Sequence, residues 1–383
     1  MKKKNLFGWL AMAAMVLGTT GCSNDEVVND YSAENAIEFG TYVGKNAGTR
    51  ALVIRNNELK VQGFGVYAAY TKLSDFDANV HTMNFMNNTQ VKYNTETSKW
   101  EYSPVKYWPN NTNEQVSFFA YAPYDKAYDL NGTTLEYEVP TDIDEQRDLT
   151  WNNTAVTNVK KQSVDGTVKF VFQHALSKVD FTIQAATDEL DPEKNALDNN
   201  TVINVKKVTL CGGTSTEEIT SGAESSTITL AATLNSKGVL NLNNTTDVAN
   251  WNILESNNSY ELTEDYFATK QLTSSNSLAE NNVLIKAGHS LMILPQTFDE
   301  NGFCVYIEYE VVTTGQNANN ENDNSTITNK ILKKVTGLNF ESGKQYKLHL
   351  ILGMTSVKVE AETKDWVTSS ETDVDLPQNK ESN

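Results

Sequence analysis

The side chains best suited to chemistry stand far apart in this chain. Its four histidines, His81, His174, His289 and His349, are widely separated, and none has a second His or Cys at metal-ligand spacing. His174 follows a β run and His289 precedes one, positions where a histidine usually serves the fold. No H-E-x-x-H or G-x-S-x-G stretch occurs. Residues 337–344 superficially match a phosphate loop. However, five residues rather than four separate Gly337 from Gly343, and Gln345 stands where Ser or Thr should hold magnesium. Glu341-Ser342-Gly343-Lys344 is better read as a turn ahead of a strand. Gly63-Phe64-Gly65 lacks the third glycine and the following helix of a dinucleotide site. The segment over residues 315–324, almost entirely Asn, Gln, Glu and Asp, reads as a solvated hairpin excursion, because its acids lack the spacing and central glycine of a calcium loop. With 49 Asp and Glu some carboxylates must lie close together, which by itself does not make a hydrolase. The sequence therefore predicts no enzyme, no cofactor and no metal site.

The cysteines say more. Cys22 follows a segment laid out as an export signal: Lys2, Lys3 and Lys4, an apolar stretch over residues 6–17, then Gly18, Thr19, Thr20 and Gly21. The apolar stretch is too short for a membrane-spanning helix. A Cys directly after such a segment matches a lipobox, whose thiol is diacylated before the signal peptide is cut, although Thr19 stands where Leu is usual. Ser23-Asn24-Asp25-Glu26 is similar to the short acidic stretch that marks surface export of some lipoproteins. The expectation is a signal peptide over 1–21 and lipidation at Cys22. Whether Cys211 and Cys304 meet is open at this point.

These residues must be carried by a chain that is 39 % hydrophobic and 21 % charged, enough apolar material for sizeable cores. Thirty-one Lys and Arg against 49 acids give a net charge of −18, which argues against a nucleic-acid partner, since phosphate binding needs a cationic footprint. Abundant Asn and Thr with 16 Tyr and 14 Phe favour strands and turns. Short runs broken by Asn, Gly and Pro predict an antiparallel all-β sandwich rather than βαβ units. Ile37-Glu38-Phe39-Gly40-Thr41-Tyr42-Val43 alternates as a half-buried strand does. Further strands are expected over 63–70, 91–93, 99–102, 116–122, 167–172, 178–183, 202–210, 226–230, 283–285, 290–294, 304–312, 331–335 and 345–352. Residues 137–166 read as loop-rich, and a domain boundary is expected near 165. No period of 20–50 residues repeats, so a solenoid or propeller is not expected.

Several stretches, in this order, carry a family resemblance. They are the lipoprotein signal, the strand at Ile37, Thr49-Arg50-Ala51, Tyr107-Trp108-Pro109 and Phe118-Phe119-Ala120-Tyr121-Ala122-Pro123. Then come Phe172-Gln173-His174-Ala175-Leu176-Ser177-Lys178-Val179, Leu294-Pro295-Gln296 and Phe340-x-x-Gly343-Lys344-x-Tyr346. Together they resemble the fimbrillin-like (Mfa-like) proteins, subunits of type V pili of Bacteroidales, over nearly the whole chain. The resemblance implies two transthyretin-like β-sandwich domains in tandem, here 51–165 and 166–365, after a lipidated tether and removable first strand over 22–50. It also implies an outer-membrane lipid anchor before maturation and an arginine-specific protease that cuts between Arg50 and Ala51. The displaced strand would carry Ile37, Phe39, Thr41 and Val43, and other pilus subunits would be the partners by strand exchange.

A stalk subunit also needs a donor strand. The candidates are Val357, Val359 and Ala361, which follow an expected strand closely enough to finish the second sandwich, and Trp366, Val374 and Leu376 in the tail over 366–383. The alternative function is a monomeric surface lipoprotein that binds glycan or another ligand, with Trp100, Trp108 and Trp151 as a sugar platform. Aromatics beside alternating strand residues more often belong to a core.

Overall fold

The computed structural model describes residues 35–43, 56–186, 197–219, 226–279, 282–315 and 323–366. Cys22, Arg50, Ala51, Val374 and Leu376 lie outside the described residues. The fold is all-β; one α-helix, Asn56–Gln62, is found among the described residues.

Seven strands form the first sheet, in the order Glu38–Val43, Thr167–His174, Thr150–Asn152, Gln115–Ala122, Phe64–Lys72, Met86–Asn94 and Lys99–Tyr102. Its central strand, Gln115–Ala122, is buried at every position. Val116, Phe118, Ala120 and Ala122 face one apolar core, while Phe119 and Tyr121 face a second, larger one. That explains why residues 118–122 are apolar at every position rather than alternating. The two ends of the sheet meet: Lys99 Nζ lies 3.2 Å from Glu38 Oε1, and Tyr102 Oη donates to Ile37 O at 2.9 Å.

The larger core is sandwiched between two further sheets. One has the order Leu291–Ile293, Ser177–Ala185, Lys344–Leu352, Val357–Asp365; the other runs Ser226–Ala231, Thr201–Ile219, Phe303–Thr313, Ser325–Val335. Phe181 and Leu350 from the first and Val208 and Ile307 from the second all belong to this core. A small sheet joins the halves, because Thr134–Glu138 pairs antiparallel with Lys237–Asn241.

The change of sheet falls later than the boundary expected near 165. Thr167–His174 belongs to the first sheet, and the second group of sheets opens with Ser177–Ala185. Val168, Phe170 and Phe172 explain this, since all three are fully buried in the first core. Two strand pairs are parallel where an antiparallel sandwich was expected: Glu38–Val43 with Thr167–His174, and Ser177–Ala185 with Lys344–Leu352. Residues 283–285 form no strand, only single bridges from Val283 to Thr182 and from Ile285 to Phe267. Strands Thr134–Glu138 and Thr150–Asn152 lie within or at the edge of the region read as loop, and Thr201–Ile219 runs well past its expected end. The 341–344 segment is a turn, with Gly343 at φ +68° donating its N–H to Leu176 O.

Candidate functional site: the bed of the first strand

Ile37 and Phe39 point into the first core, with 1 % and 5 % of their surface exposed, while Glu38 between them faces solvent and Thr41 is half-buried. The backbone of Glu38–Val43 follows Thr167–Phe172 residue for residue, Val43 opposite Phe172. The Phe39 ring fills a pocket of four aromatic rings. It stacks on Phe170 at 5.4 Å, tilts against Tyr102 at 5.1 Å, and meets Phe118 and Phe64 edge-on at 6.0 and 6.2 Å. Burying side chains of this size contributes about 1.5–3 kcal/mol each, and a good aromatic pair adds about 0.5–1.5 kcal/mol.

The start of the strand is clamped from the other side. Ile37 N–H donates to Lys106 O at 2.8 Å, Trp108 N–H to Asn35 O at 2.9 Å, and Asn35 Nδ2 to Trp108 O at 3.0 Å. Trp108 is itself buried and donates Nε1–H to Gly166 O at 3.0 Å, just before the strand that pairs with the first. Tyr107-Trp108-Pro109 thus serves to seat residues 35–37. Burial raises the Tyr102 phenol to about 12, partly offset by its contact with the Lys106 backbone. A neutral hydroxyl therefore donates to Ile37 O across the neutral pH range.

The candidate donor residues lie at the other end of the chain. Val357–Asp365 pairs along its whole length with Lys344–Leu352, Leu352 opposite Val357 and Lys344 opposite Asp365. Val357 is buried in the larger core, Val359 is half-buried against it, and Ala361 is exposed. This strand closes the edge of a sheet. Trp366 is only 3 % exposed. Its ring stacks on His174 at 4.0 Å with an 11° interplanar angle, and its backbone N–H donates to Gly343 O at 2.9 Å. His174 Nδ1 lies 2.9 Å from Asp148 Oδ2. Desolvation pushes the Asp148 carboxyl above the usual range, and His174 opposes that shift. Trp366, expected at the head of a free tail, is instead a fixed point at the junction of the sheets. A lone aromatic after a strand carries no periodic signal, so the sequence could not show this contact.

The remaining sequence candidates are spread out. His81 Nδ1 accepts from Asp77 N–H, His289 Nε2 lies 3.1 Å from Asp144 Oδ1, and His349 Nδ1 lies 2.6 Å from Thr182 Oγ1. Among the described residues no group of three or more His, Cys, Asp or Glu is placed to hold a metal ion. Trp108 and Trp151 are buried, 2 % and 0 % exposed. Half-buried Trp100 packs edge-on against Phe64 and Tyr93. Two of the three tryptophans considered for a sugar platform therefore belong to the interior.

The described residues thus form all-β sheets on two apolar cores, with the first strand bedded in the smaller one. The fimbrillin-like family model matches residues 49–366, and the chain belongs to that family, one of fimbrial structural and adhesion proteins rather than enzymes. It is 26 % identical over 409 aligned residues to the fimbrium subunit Fim1C of Phocaeicola vulgatus, an alignment that covers 96 % of this chain and 98 % of that one. Among solved structures it is similar to a fimbrial protein from Bacteroides vulgatus, with a TM-score of 0.63, 20 % identity, and coverage of 87 % of this chain and all of that one. A solved structure from Bacteroides uniformis also matches, at a TM-score of 0.48 and 14 % identity, covering 88 % of this chain and all of that one.

Proposed function

We propose that this chain is a subunit of a fimbrium, exported as an outer-membrane lipoprotein through Cys22 and matured by cleavage after Arg50. Cleavage releases the segment that carries Ile37, Phe39, Thr41 and Val43, and a strand from a neighbouring subunit takes its place. The observation that carries this reading is the position of Glu38–Val43. It is an end strand of its sheet, yet its Phe39 ring fills a pocket built by four other strands. Without it, a row of backbone groups on Thr167–His174 would lose its partners, and an apolar groove would open to water. An incoming strand restores both at once: the ladder gives affinity and the pockets give selectivity. Such a contact joins two different surfaces, so it need not close and can grow into a filament.

Export and maturation are tested separately. Cys22→Ala should abolish incorporation of a fatty-acid probe and the outer-membrane location, because two acyl chains are what make anchoring stable. Unchanged labelling would remove the anchor from the account. Arg50→Ala should leave uncut precursor on the cell surface without fibres, and normal fibres from that variant would remove the cleavage.

A further inference from the structure

Thr201–Ile219 and Phe303–Thr313 lie side by side in the middle of their sheet, and their antiparallel register sets Cys211 directly opposite Cys304. Residues opposed in this way project from the same face with Cα atoms roughly 4.5–5.5 Å apart, within the roughly 4.4–6.8 Å that a disulfide spans. Alternation fixes which face that is. Val208 and Leu210 with Ile307 and Val305 fill the core, so Cys211 and Cys304 share the opposite face with Thr209 and Tyr306. Both cysteines are nonetheless closed off from solvent, 0 % and 1 % exposed.

The cover comes from the irregular stretch where the Thr201–Ile219 strand shifts register between Gly212 and Thr216. Ser215 folds back over the site. Its Oγ donates to Gly212 O at 2.7 Å, accepts from Ala231 N–H at 2.9 Å, and lies 3.4 Å from Cys211 Sγ. Cys211 Sγ is 3.5 Å from the carbonyl oxygen of Cys304. Both thiols are free in this structure. Burial raises Cys211 to about 11, with Cys304 adding to the shift, and burial raises Cys304 as well. In the folded chain neither sulfur ionises readily and no oxidant reaches it, so any bond between them must close while the sheet forms.

We propose that Cys211 and Cys304 are a disulfide-forming pair, closed as the chain folds in an oxidising compartment, so that one covalent bond staples Thr201–Ile219 to Phe303–Thr313 in the middle of their sheet. The compartment follows from the export reading; the pairing itself does not. The oxidant is a disulfide of another protein or of a small thiol. One cysteine thiolate attacks that disulfide, forms a mixed disulfide and expels one thiolate of the oxidant. The second cysteine thiolate then attacks the cysteine sulfur of the mixed bond and expels the other. The pair loses two protons and two electrons, and the oxidant is reduced to two thiols.

The full chain is refolded in a mixture of oxidised and reduced glutathione, denatured, alkylated without reductant, digested and mapped by mass. The peptides containing Cys211 and Cys304 should appear joined, roughly 2 Da lighter than their sum because two thiol hydrogens are lost. Cys304→Ser should abolish the joined species, and wild-type chain refolded in dithiothreitol should melt below chain refolded with glutathione, with no such difference for the variant. If refolding yields no native protein, the same map is made on chain exported to an oxidising bacterial periplasm. Alkylated Cys211 and Cys304 in natively folded protein, or either of them joined to Cys22, overturns the proposal. Since refolding needs no export, a negative result there counts against the pair and leaves the Cys22 and Arg50 tests untouched.

Discussion

Phe39 is where a single side chain decides most. Its ring touches Phe64, Tyr102, Phe118 and Phe170, contributed by four different strands, so truncation leaves a hole that no one strand can move to fill. Phe39→Ala in the uncut precursor should cost about 3 kcal/mol or more, measured as a lower urea midpoint with unchanged slope. Half-buried Thr41 changed to Ala should cost well under half of that. Tyr102 acts on the same pocket through its hydroxyl. Its phenol is held neutral to about 12 in the fold, above its ordinary value. The unfolded chain therefore loses this proton first, at a pH of about 10, so the stability it gives is complete below that and is lost as pH rises toward 12. Tyr102→Phe should flatten part of the alkaline fall in melting temperature. At neutral pH it should cost about 1 kcal/mol for the lost bond to Ile37 O. An alkaline profile identical to the wild type would show that this phenol is not buried as described.

At the scale of elements, the tail and the first strand are the parts most open to test. Truncation after Trp366 removes 17 residues, from 383 back to 366, and keeps the His174 stack. That chain should melt as the full-length one does. If the tail donates, it should form no fibres. Truncation after Asp365 also removes Trp366, and should lower the melting temperature by roughly 5 °C or more through the lost burial. Equal melting of the two chains would contradict the anchoring role of Trp366. The alternation from Ile37 to Val43 was legible because a half-buried strand writes its period directly into the sequence. So was the strand near 167–172, but not its sheet. Period two says which residues turn inward and nothing about which distant strand lies alongside, and Thr167–His174 pairs with a strand far upstream. Asn56–Gln62 went unseen because seven residues make too few turns to show a helical period. His174 reads as a histidine that serves the fold and Trp366 as a donor candidate, and only the fold brings their rings together.

For the molecule as a whole, what matters is that its two cores are unequal in how they close. The larger one lies between two facing sheets built from strands between Ser177 and Asp365, with Tyr67, Phe119, Tyr121 and Trp151 of the first sheet packed into it, and it is braced by the small sheet that pairs Thr134–Glu138 with Lys237–Asn241. The smaller one depends on residues 37–39 from the far N-terminal side, joined to the rest through the stretch that contains Arg50. Loss of that segment should open the first core while the second keeps the subunit folded, which is what a filament built by replacing one strand requires. A net charge of −18 disfavours non-specific association, so under the proposed mechanism subunits should stay apart until a groove is exposed. The most direct measurement is the intact mass of wild-type chains sheared from the cell surface as fibres. Chains that begin at Ala51, without Ile37 and Phe39, are the expected result; chains in those fibres that begin at lipidated Cys22 and still carry the first strand would contradict strand replacement.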